Sequence, residues 1–299
     1  MSHHLPRPPA HDSHGIETLS SGGASAHPKI GPMPDPATAV PAANANGTAG
    51  AVRGPEAART PETARPGGAA PAPRHVAIVC DGSARWAERN ALSIADGHGA
   101  AADTVLARVD DAVALGIEQL TLYAFSTENW ARPEREVRAL LGMLAARIRQ
   151  DTAGLHAKAV QVRFIGRRDR AGAGLLEQIE IAERATAANA GLRLRVALDY
   201  GGRSEILSAA ERYSGGGEEE FAKLLYDPEM RDPDLVIRTS GEQRLSNFLL
   251  WQTAYAELVF RQELWPDFSR AALLASLAEY ATRRRRFGAR EAMAGTTAG

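Results

Sequence analysis

The segment Leu235-Val236-Ile237-Arg238-Thr239-Ser240-Gly241-Glu242-Gln243-Arg244-Leu245-Ser246-Asn247 shows most clearly what kind of fold this chain has. Its first three residues are typical of a buried strand, and polar residues begin where that strand would end. Ligands of open α/β sheets bind at the carboxyl ends of the strands. Arginine forks and serine hydroxyls around a glycine turn suit phosphate oxygens better than a protein core. The segment therefore predicts an α/β sheet whose edge binds an anionic, phosphorylated ligand.

Two earlier segments repeat this order of an apolar strand followed by a polar cluster. Residues 76–79 precede Asp81-Gly82-Ser83-Ala84-Arg85-Trp86 and Gly97-His98-Gly99, and residues 120–125 precede Ser126-Thr127-Glu128-Asn129-Trp130-Ala131-Arg132-Pro133. Hydrophobic spacing predicts helices over 100–115, 133–148, 175–188 and from 204, strands over 160–165, 192–198 and 234–238, and an apolar segment at 255–260. This alternation predicts a single α/β domain with a mostly parallel central sheet flanked by helices.

The composition separates residues 1–73 from the rest of the chain. That stretch contains 13 of the 17 prolines and no Phe, Tyr or Trp. Such a segment cannot bury enough apolar surface to offset the entropy lost on ordering. We predict a disordered tail, without the apolar core of a signal peptide. The folded domain is expected at 74–288, followed by a flexible C-terminus at 289–299.

Charge, cysteine content and hydropathy exclude several classes of protein. No run approaches the ~18 apolar residues of a membrane span. The single cysteine, Cys80, excludes an internal disulfide framework and fits a reducing cytoplasm. A net charge of −1 gives no general argument for nucleic-acid binding, and we expect no such partner. The local cluster 283–286 is the exception, because four arginines suit either phosphate or a membrane surface, or cap the carbonyls of a helix end.

Several long motifs, in order, carry a resemblance to a known family. They are HVAIVCDGSARWA at 75–87, LTLYAFSTENWARP at 120–133, DPDLVIRTSGEQRLSNFLLWQTAYAELVF at 232–260, LWPDF at 264–268 and RRRRFG at 283–288. Together they resemble the cis-prenyltransferases, the undecaprenyl diphosphate synthase family. The resemblance implies a homodimer, a parallel sheet and a hydrophobic tunnel for a growing chain. It also implies Mg²⁺-dependent condensation of isopentenyl diphosphate with an allylic diphosphate, which creates a Z double bond.

The same resemblance implies roles for individual residues. Asp81 is the essential acid that holds Mg²⁺, and Glu257 is a second metal-linked acid reaching across the dimer. Asn129 is the catalytic amide; because an amide is a poor base, we expect it to position substrate while pyrophosphate or water accepts the proton. The expected substrate-binding residues are Gly82, Ser83, Ala84, Arg85, Trp86, His98, Ser126, Thr127, Glu128, Trp130 and Arg132 on the allylic side, and Arg238, Arg244, Leu245 and Ser246 on the isopentenyl side.

Ordinary structural roles remain alternatives for several of these residues. Asp81 suits a helix cap, and Glu257 suits a buried salt bridge. His98 is equally compatible with a satisfied structural histidine. Trp86 and Trp130 are equally compatible with core aromatics, and Arg132 with an exposed helix start.

Three positions depart from the pattern that the family usually carries. Ser83 and Ala84 replace Asn and Gly, and a Cβ at Ala84 is expected to narrow the phosphate loop or to disfavour a positive φ. Ile94 stands where the family usually has a diphosphate-binding Arg. A charge-assisted hydrogen bond contributes ~1.5–3 kcal/mol, so the allylic site is where we expect altered specificity.

The main hypothesis is an active cis-prenyltransferase, with chain length and primer not fixed by the sequence. One alternative is a specialised short-chain, branched or cyclised terpenoid diphosphate synthase of the same fold, and another is a non-catalytic binding subunit. Peripheral membrane association through a lipid product is compatible with either enzyme. A phosphatase lacks the second acid two positions after Asp81, where Ser83 stands. A serine hydrolase lacks the Gly-x-Ser-x-Gly elbow around Ser126.

Overall fold

A six-stranded sheet forms the centre of the fold in the computed structural model, which describes residues 72–283. The strand order is β3-β4-β2-β1-β5-β6, and all five pairings are parallel. The strands are β1 (His75–Val79), β2 (Gln119–Ser126), β3 (Gln161–Ile165), β4 (Arg193–Tyr200), β5 (Leu235–Arg238) and β6 (Glu257–Phe260). The predicted α/β class is confirmed, and the described sheet is parallel throughout.

Seven α-helices and two short 3-10 helices connect these strands within the described range. They are α1 (Ser83–Arg89), α2 (Ile94–Ala114), α3 (Glu134–Ala157), α4 (Ala173–Thr186), α5 (Gly202–Ala210), α6 (Gly217–Ala222) and α7 (Arg270–Thr282), with 3-10 turns at Thr127–Ala131 and Trp265–Asp267. Among residues 72–283, none of these helices is both long and apolar enough to cross a bilayer.

Strand β1 is buried on both faces of the sheet. Val76 and Ile78 belong to one hydrophobic cluster, whereas Ala77 and Val79 belong to another. Strands covered on both faces are expected to be continuously apolar rather than alternating. This explains why short unbroken apolar runs marked the strands correctly in the sequence.

His75 shows how completely the start of β1 is covered. Its imidazole is fully buried, with Nδ1 2.6 Å from the carbonyl oxygen of Arg231 and Nε2 2.8 Å from Oγ1 of Thr121. Burial lowers the pKa of His75 from 6.5 to about 4. The side chain is therefore neutral at physiological pH.

Helix α2 begins earlier than the spacing predicted, which corrects the expected start at residue 100. Ser93 caps it: the Ser93 hydroxyl accepts a hydrogen bond from the Asp96 amide, and the Asp96 carboxylate accepts one from the Ser93 amide. This capping box stabilises the start of the helix, which Gly97 and Gly99 would otherwise disfavour. Gly97 is required there because a Cβ would lie 2.6 Å from the carbonyl oxygen of Ser83. Consequently, His98 lies on a helix rather than in a loop.

Helices α1, α6 and α7 were not predicted. The first two are only 7 and 6 residues long, too short to show helical periodicity. Helix α7 is rich in alanine and leucine around its axis, so no single stripe marks it. The predicted flexible C-terminus at 289–299, most of the predicted tail at 1–73, and Arg284, Arg285 and Arg286 lie outside the described residues.

Candidate active site

Three polar clusters meet at the carboxyl edge of the sheet, as the sequence predicted. Strand β1 lies between β2 and β5, and Val79 pairs with Arg238 at the last position of the β1–β5 ladder. Asp81 follows β1, and Asn129 follows the end of β2. The topology alone therefore brings an acid, an arginine and an amide from distant parts of the sequence to one edge.

An ion pair between Asp81 and Arg238 forms the centre of this site. Nη2 of Arg238 donates to Oδ2 of Asp81 at 2.7 Å, and its Nη1 donates to Oγ of Ser246 at 2.6 Å and to the carbonyl oxygen of Arg244 at 2.6 Å. The Arg238 side chain is 5% exposed, and the Asp81 side chain is 30% exposed. The guanidinium is thus fixed in the protein while the carboxylate still reaches the cavity.

The charged neighbours keep Asp81 ionised. Burial alone would raise the pKa of this carboxyl group. The hydrogen bond and charge of Arg238, with contributions from Ser240 and Arg85, outweigh burial and hold the pKa of Asp81 below its usual value. Asp81 is therefore a carboxylate at neutral pH, as metal binding requires.

The backbone of Asp81 is fixed from both sides. Its amide donates to Oγ1 of Thr239 at 2.9 Å, and its carbonyl accepts from the Thr239 hydroxyl at 2.7 Å and from the Trp265 amide at 3.0 Å. Gly82 follows with φ 107, and a Cβ there would lie 2.8 Å from Cδ2 of Leu264. Only glycine fits this turn without strain.

Helix α1 begins immediately after that turn. Ser83, Ala84 and Arg85 occupy its first turn, where backbone N–H groups have no intrahelical acceptor. Ala84 is helical, so the expectation that its Cβ would disfavour a positive φ is wrong; the positive φ is at Gly82.

Arg85 links α1 to the segment that follows β5. Its Nη2 donates to Oγ of Ser240 at 2.8 Å, and the same nitrogen lies 3.6 Å from Oδ1 of Asp81 and 3.6 Å from Oε1 of Glu242. The side chain is 45% exposed, so it remains available to an anion entering the site. The Glu242 carboxylate also pairs with Arg244, so it lies between two arginines of the mouth.

The loop after β5 is held in an uncommon conformation. Ser240, Ser246 and Asn247 have φ values of 78, 48 and 65. Non-glycine residues in this region carry strain and cluster at functional sites. The loop is held by Asn247, whose Nδ2 donates to Oε1 of Glu128 at 2.8 Å and whose carbonyl accepts from the Gly202 amide at 2.7 Å. Asn247 lines the cavity but was missed from the sequence, although its side-chain amide is typical of left-handed turns.

His98 lies in the first turns of α2 and lines the cavity. Its Nε2 is buried and has no hydrogen-bond partner among the described residues. Burial, reinforced by the positive charge of Arg132, lowers the pKa of His98, so the ring is neutral at pH 7. A buried ring nitrogen without a partner is better suited to a ligand contact than to a satisfied structural role.

The side-chain oxygen of Asn129 is hydrogen-bonded within the protein, whereas its NH₂ group is available to a ligand. Its Oδ1 accepts a hydrogen bond from the Ser126 amide at 2.9 Å, which leaves the NH₂ group to donate. This polarity agrees with positioning of an anionic or hydroxylated group and disagrees with proton abstraction. Both residues line the cavity, together with Glu128 and Arg132.

A cavity of about 700 Å³ extends from these polar groups into the protein. One wall is formed by residues of β2, β3 and β4, including Leu122, Phe164 and Val196. The opposite wall is α2 and α3. Burial raises the pKa of the Cys80 thiol at the mouth, which fits packing rather than nucleophilic chemistry. The site therefore has a charged mouth and a largely apolar interior.

The structure does not bring every predicted site residue to this cavity. Trp86 donates to Asp267 and Trp130 to Asp199, and neither ring lines it. Thr127 packs against Gly201. Arg244 and Leu245 lie in the segment after β5, but the residues of that segment that line the cavity are Ser246 and Asn247.

Glu257 lies at the opposite edge of the sheet from Asp81. It begins β6, paired in register with Leu235 at the start of β5, and its carboxylate lies 3.0 Å from Nη1 of Arg283. Within one chain it contributes nothing to the Asp81 site. A role there requires a second subunit.

The acidic groups around Asp81 suit a metal that takes few protein ligands. No cluster of three or more His, Cys, Asp or Glu side chains suited to an ion occurs in the range 72–283. Magnesium is commonly bound by one or two carboxylates, with substrate phosphates and water completing the shell. A single ionised carboxylate beside two arginines fits that arrangement and does not fit an all-protein metal cage.

Comparison with known proteins agrees with this architecture. Residues 79–288 match the prenyltransferase family model described as undecaprenyl diphosphate synthase. An isoprenyl transferase from Rhizobium meliloti (strain 1021) is 45% identical over 227 residues, covering 72% of this chain and 92% of the relative. Lavandulyl diphosphate synthase from Lavandula x intermedia, solved in complex with dimethylallyl diphosphate, is 35% identical with a TM-score of 0.70, covering 73% of this chain and 98% of that one.

A second solved structure shares the fold. The "probable undecaprenyl diphosphate synthase" from Campylobacter jejuni is 30% identical with a TM-score of 0.63, covering 72% of this chain and 98% of that one. The family match spans more than two thirds of the 299 residues and includes all three polar clusters. The chain therefore belongs to the undecaprenyl diphosphate synthase family of isoprenyl transferases.

Proposed function

We propose that this protein condenses isopentenyl diphosphate with an allylic diphosphate to give a Z-configured prenyl diphosphate, and that residues 74–288 are its catalytic domain. The observation that carries the proposal is the Asp81 carboxylate, held between Arg85 and Arg238 at the mouth of an apolar cavity. Charged diphosphates suit the mouth, and a hydrocarbon chain suits the interior.

The reaction forms a carbon–carbon bond between C4 of isopentenyl diphosphate and C1 of the allylic substrate. The allylic C1–O bond breaks, pyrophosphate leaves with the bonding electrons, and C2 of the isopentenyl unit loses a proton. We assign that proton to the leaving pyrophosphate or to water, because Asn129 is an amide and the Asp81 carboxylate is already paired with Arg238.

The allylic diphosphate is assigned to the α1 side of the mouth. The amides of the first turn of α1 and the Arg85 guanidinium offer donors to its phosphate oxygens, and the unpartnered Nε2 of His98 offers another. Ser126, Thr127 and Glu128 follow the same edge. Trp86 and Trp130 act through packing in this assignment, because each ring donates its N–H to a carboxylate of the protein.

The isopentenyl diphosphate is assigned to the β5 side. Arg238 is already aligned by Ser246 and the Arg244 carbonyl, and Arg244 is 59% exposed and free to turn toward a ligand from its pairing with Glu242. Leu245 supports the loop from the hydrophobic cluster beneath it.

Magnesium is the proposed cofactor, with Asp81 as its ligand from this chain. When bound, Mg²⁺ would neutralise charge on the departing pyrophosphate. We further propose a homodimer in which Glu257 serves the site of the second subunit, since it lies away from the Asp81 of its own chain. The lone Cys80 supports a reducing, cytoplasmic compartment, and the hydrocarbon chain of the product would give peripheral contact with membranes.

The comparisons favour a chain-elongating enzyme over the alternative of a specialised short-chain, branched or cyclised synthase. Isoprenyl transferases are 44–46% identical to this chain, whereas lavandulyl diphosphate synthase is 35% identical. Retention of Asp81, Asn129 and Arg238 in one connected site favours catalysis over a non-catalytic binding subunit.

The test is condensation by the purified full-length protein. Labelled isopentenyl diphosphate is incubated with dimethylallyl, geranyl or farnesyl diphosphate, with Mg²⁺ or with EDTA, and pyrophosphate and labelled lipid are measured. We expect equimolar release of pyrophosphate, loss of activity with EDTA and its recovery with Mg²⁺. Asp81→Asn should abolish turnover, while Asp110→Asn, which changes an exposed acid on α2, should still turn over. No condensation with any primer would overturn the proposal.

A further inference from the structure

Two charged side chains, Arg147 and Asp151, interrupt the apolar interior of the cavity. Helix α3 presents to it a stripe of residues at helical spacing: Leu140, Met143, Leu144, Arg147, Ile148, Asp151, Thr152 and Leu155. Arg147 and Asp151 lie in the middle of this otherwise largely apolar stripe. Arg147 also reaches Asp103 on α2, so the charges cross the gap between the two helices that form this wall.

The geometry shows an anchored ion-pair network rather than loose surface charges. Nη1 of Arg147 lies 3.0 Å from Oδ1 of Asp103, and its Nε lies 3.2 Å from Oδ2 of Asp151. The side chains of Arg147 and Asp151 are only 21% and 15% exposed, whereas that of Asp103 is 73% exposed. Solvent therefore reaches the network through Asp103, while its other two members face the cavity.

The network is incompletely satisfied by the protein. Nε of Arg147 is buried and has no well-aligned hydrogen-bond acceptor among the described residues, despite its distance to Asp151. Burial raises the pKa of Asp151 even with Arg147 beside it. An apolar chain that moved past these groups would remove their remaining water without replacing its hydrogen bonds, which is unfavourable.

We propose that the ion pair of Arg147 and Asp151, which is extended to Asp103 by Arg147, limits the length of prenyl chain that this enzyme makes. The inference rests on the proposed function and adds a specificity-determining element to it. Elongation proceeds while the chain contacts Leu140, Met143 and Leu144, and becomes unfavourable when the chain end reaches the charges. Arg147 lies seven residues beyond Leu140, or about 10 Å along the helix axis at 1.5 Å per residue.

The size of the cavity agrees with a limited product. A 150 Å³ protein cavity holds benzene, so roughly 25 Å³ is needed per carbon. On that scale, a cavity of about 700 Å³ holds roughly 28 carbons, and the diphosphates at the mouth reduce that number. The volume of the cavity therefore agrees with a limit on product length that is set inside it.

Product length in matched variants tests the proposal. The double variant Arg147→Met/Asp151→Leu removes both charges together, which avoids leaving one buried charge unpaired. Arg149→Met makes the same chemical change two residues away on α3, at an exposed position that does not line the cavity. Products from isopentenyl diphosphate and the three primers are dephosphorylated and separated by chain length on reversed-phase chromatography.

The double variant should shift the main product by at least one five-carbon unit, and Arg149→Met should match the wild type. Asp103→Ala removes the exposed ion-pair partner of Arg147 without changing a residue that lines the cavity, and it should add longer minor products. This variant tests the proposal even if the double variant fails to fold. A wild-type product distribution in a folded double variant or in Asp103→Ala would overturn the inference and leave the proposed function standing. Wild-type products longer than ~30 carbons would do the same. Absence of any product from the wild type would overturn both.

Discussion

The pairing of Asp81 with Arg238 should be worth a measurable amount of folding free energy. Arg238→Met removes three hydrogen bonds from a side chain that is 5% exposed and leaves the Asp81 carboxylate without its closest partner. Breaking a buried pair in this way costs about 3–5 kcal/mol. Asp81→Asn keeps the shape of the side chain and removes its charge.

A double-mutant cycle isolates the part that belongs to the pair. Wild type, Arg238→Met, Asp81→Asn and the double variant are unfolded in urea at pH 7 and one protein concentration, so that any dimerisation affects each equally. The hydrogen bond between Arg238 and Asp81 is charge-assisted and largely shielded from solvent, which predicts a coupling free energy of ~1.5–3 kcal/mol.

An exposed pair on α3 provides the control cycle. Arg138 and Glu134 lie 3.4 Å apart, with side chains that are 72% and 81% exposed. Arg138→Met and Glu134→Gln should couple by no more than ~0.5 kcal/mol, because water screens the pair. Equal coupling in the two cycles would refute the conclusion that the mouth of the cavity holds Arg238 by a strong, desolvated contact.

Three further predictions concern single positions. Gly82→Ala should lower stability by ~1–3 kcal/mol in urea unfolding, because its φ is 107 and a Cβ meets Leu264. Gly99→Ala, with open space around it on helix α2, should instead raise stability by up to ~1 kcal/mol, and equal effects would contradict the turn argument. Burial lowers the pKa of His75 from 6.5 to about 4, so between these pH values the unfolded state binds one more proton than the folded state. The stability of the protein is therefore fully present above pH 6.5 and should fall toward pH 4 by up to ~1.4 kcal/mol per pH unit. This slope should be weaker in His75→Gln. Ile94 precedes His98 by one helical turn on α2 and is 50% exposed, so Ile94→Arg should lower the KM for the allylic substrate roughly ten- to a hundredfold; an unchanged KM would show that this position does not face the diphosphate.

The sequence predicted the sheet well because its strands are buried on both faces. A strand buried on both faces, such as Leu235–Ile237, contains apolar residues throughout. The strand and the polar residues that follow it can therefore both be recognised in the sequence. The site followed from the topology of parallel strands, whose carboxyl ends share one edge. Asp81, Arg238 and Asn129 were brought together on that basis.

The parts that were missed depend on contacts that are distant in sequence or locally ambiguous. The early start of α2 depends on the Ser93–Asp96 capping box, a short signal opposed by Gly97 and Gly99. Arg147 and Asp151 were not identified because polar residues in a helix are ordinarily placed toward solvent. Only the packing of α2 against α3 shows that they face an apolar cavity.

The position of β5 beside β1 has a consequence for how the protein is made. Asp81 and Arg238 are 157 residues apart in the chain, and Thr239, which hydrogen-bonds the backbone of Asp81, is 158 residues away. During synthesis β1, β2 and β4 leave the ribosome and can pair well before β5 exists. The nascent chain therefore exposes an open edge of β1, and Asp81 has no arginine partner, until β5 emerges. If the proposed function is correct, a chain that stops before β5 would be inactive even with every residue before β5 correctly folded.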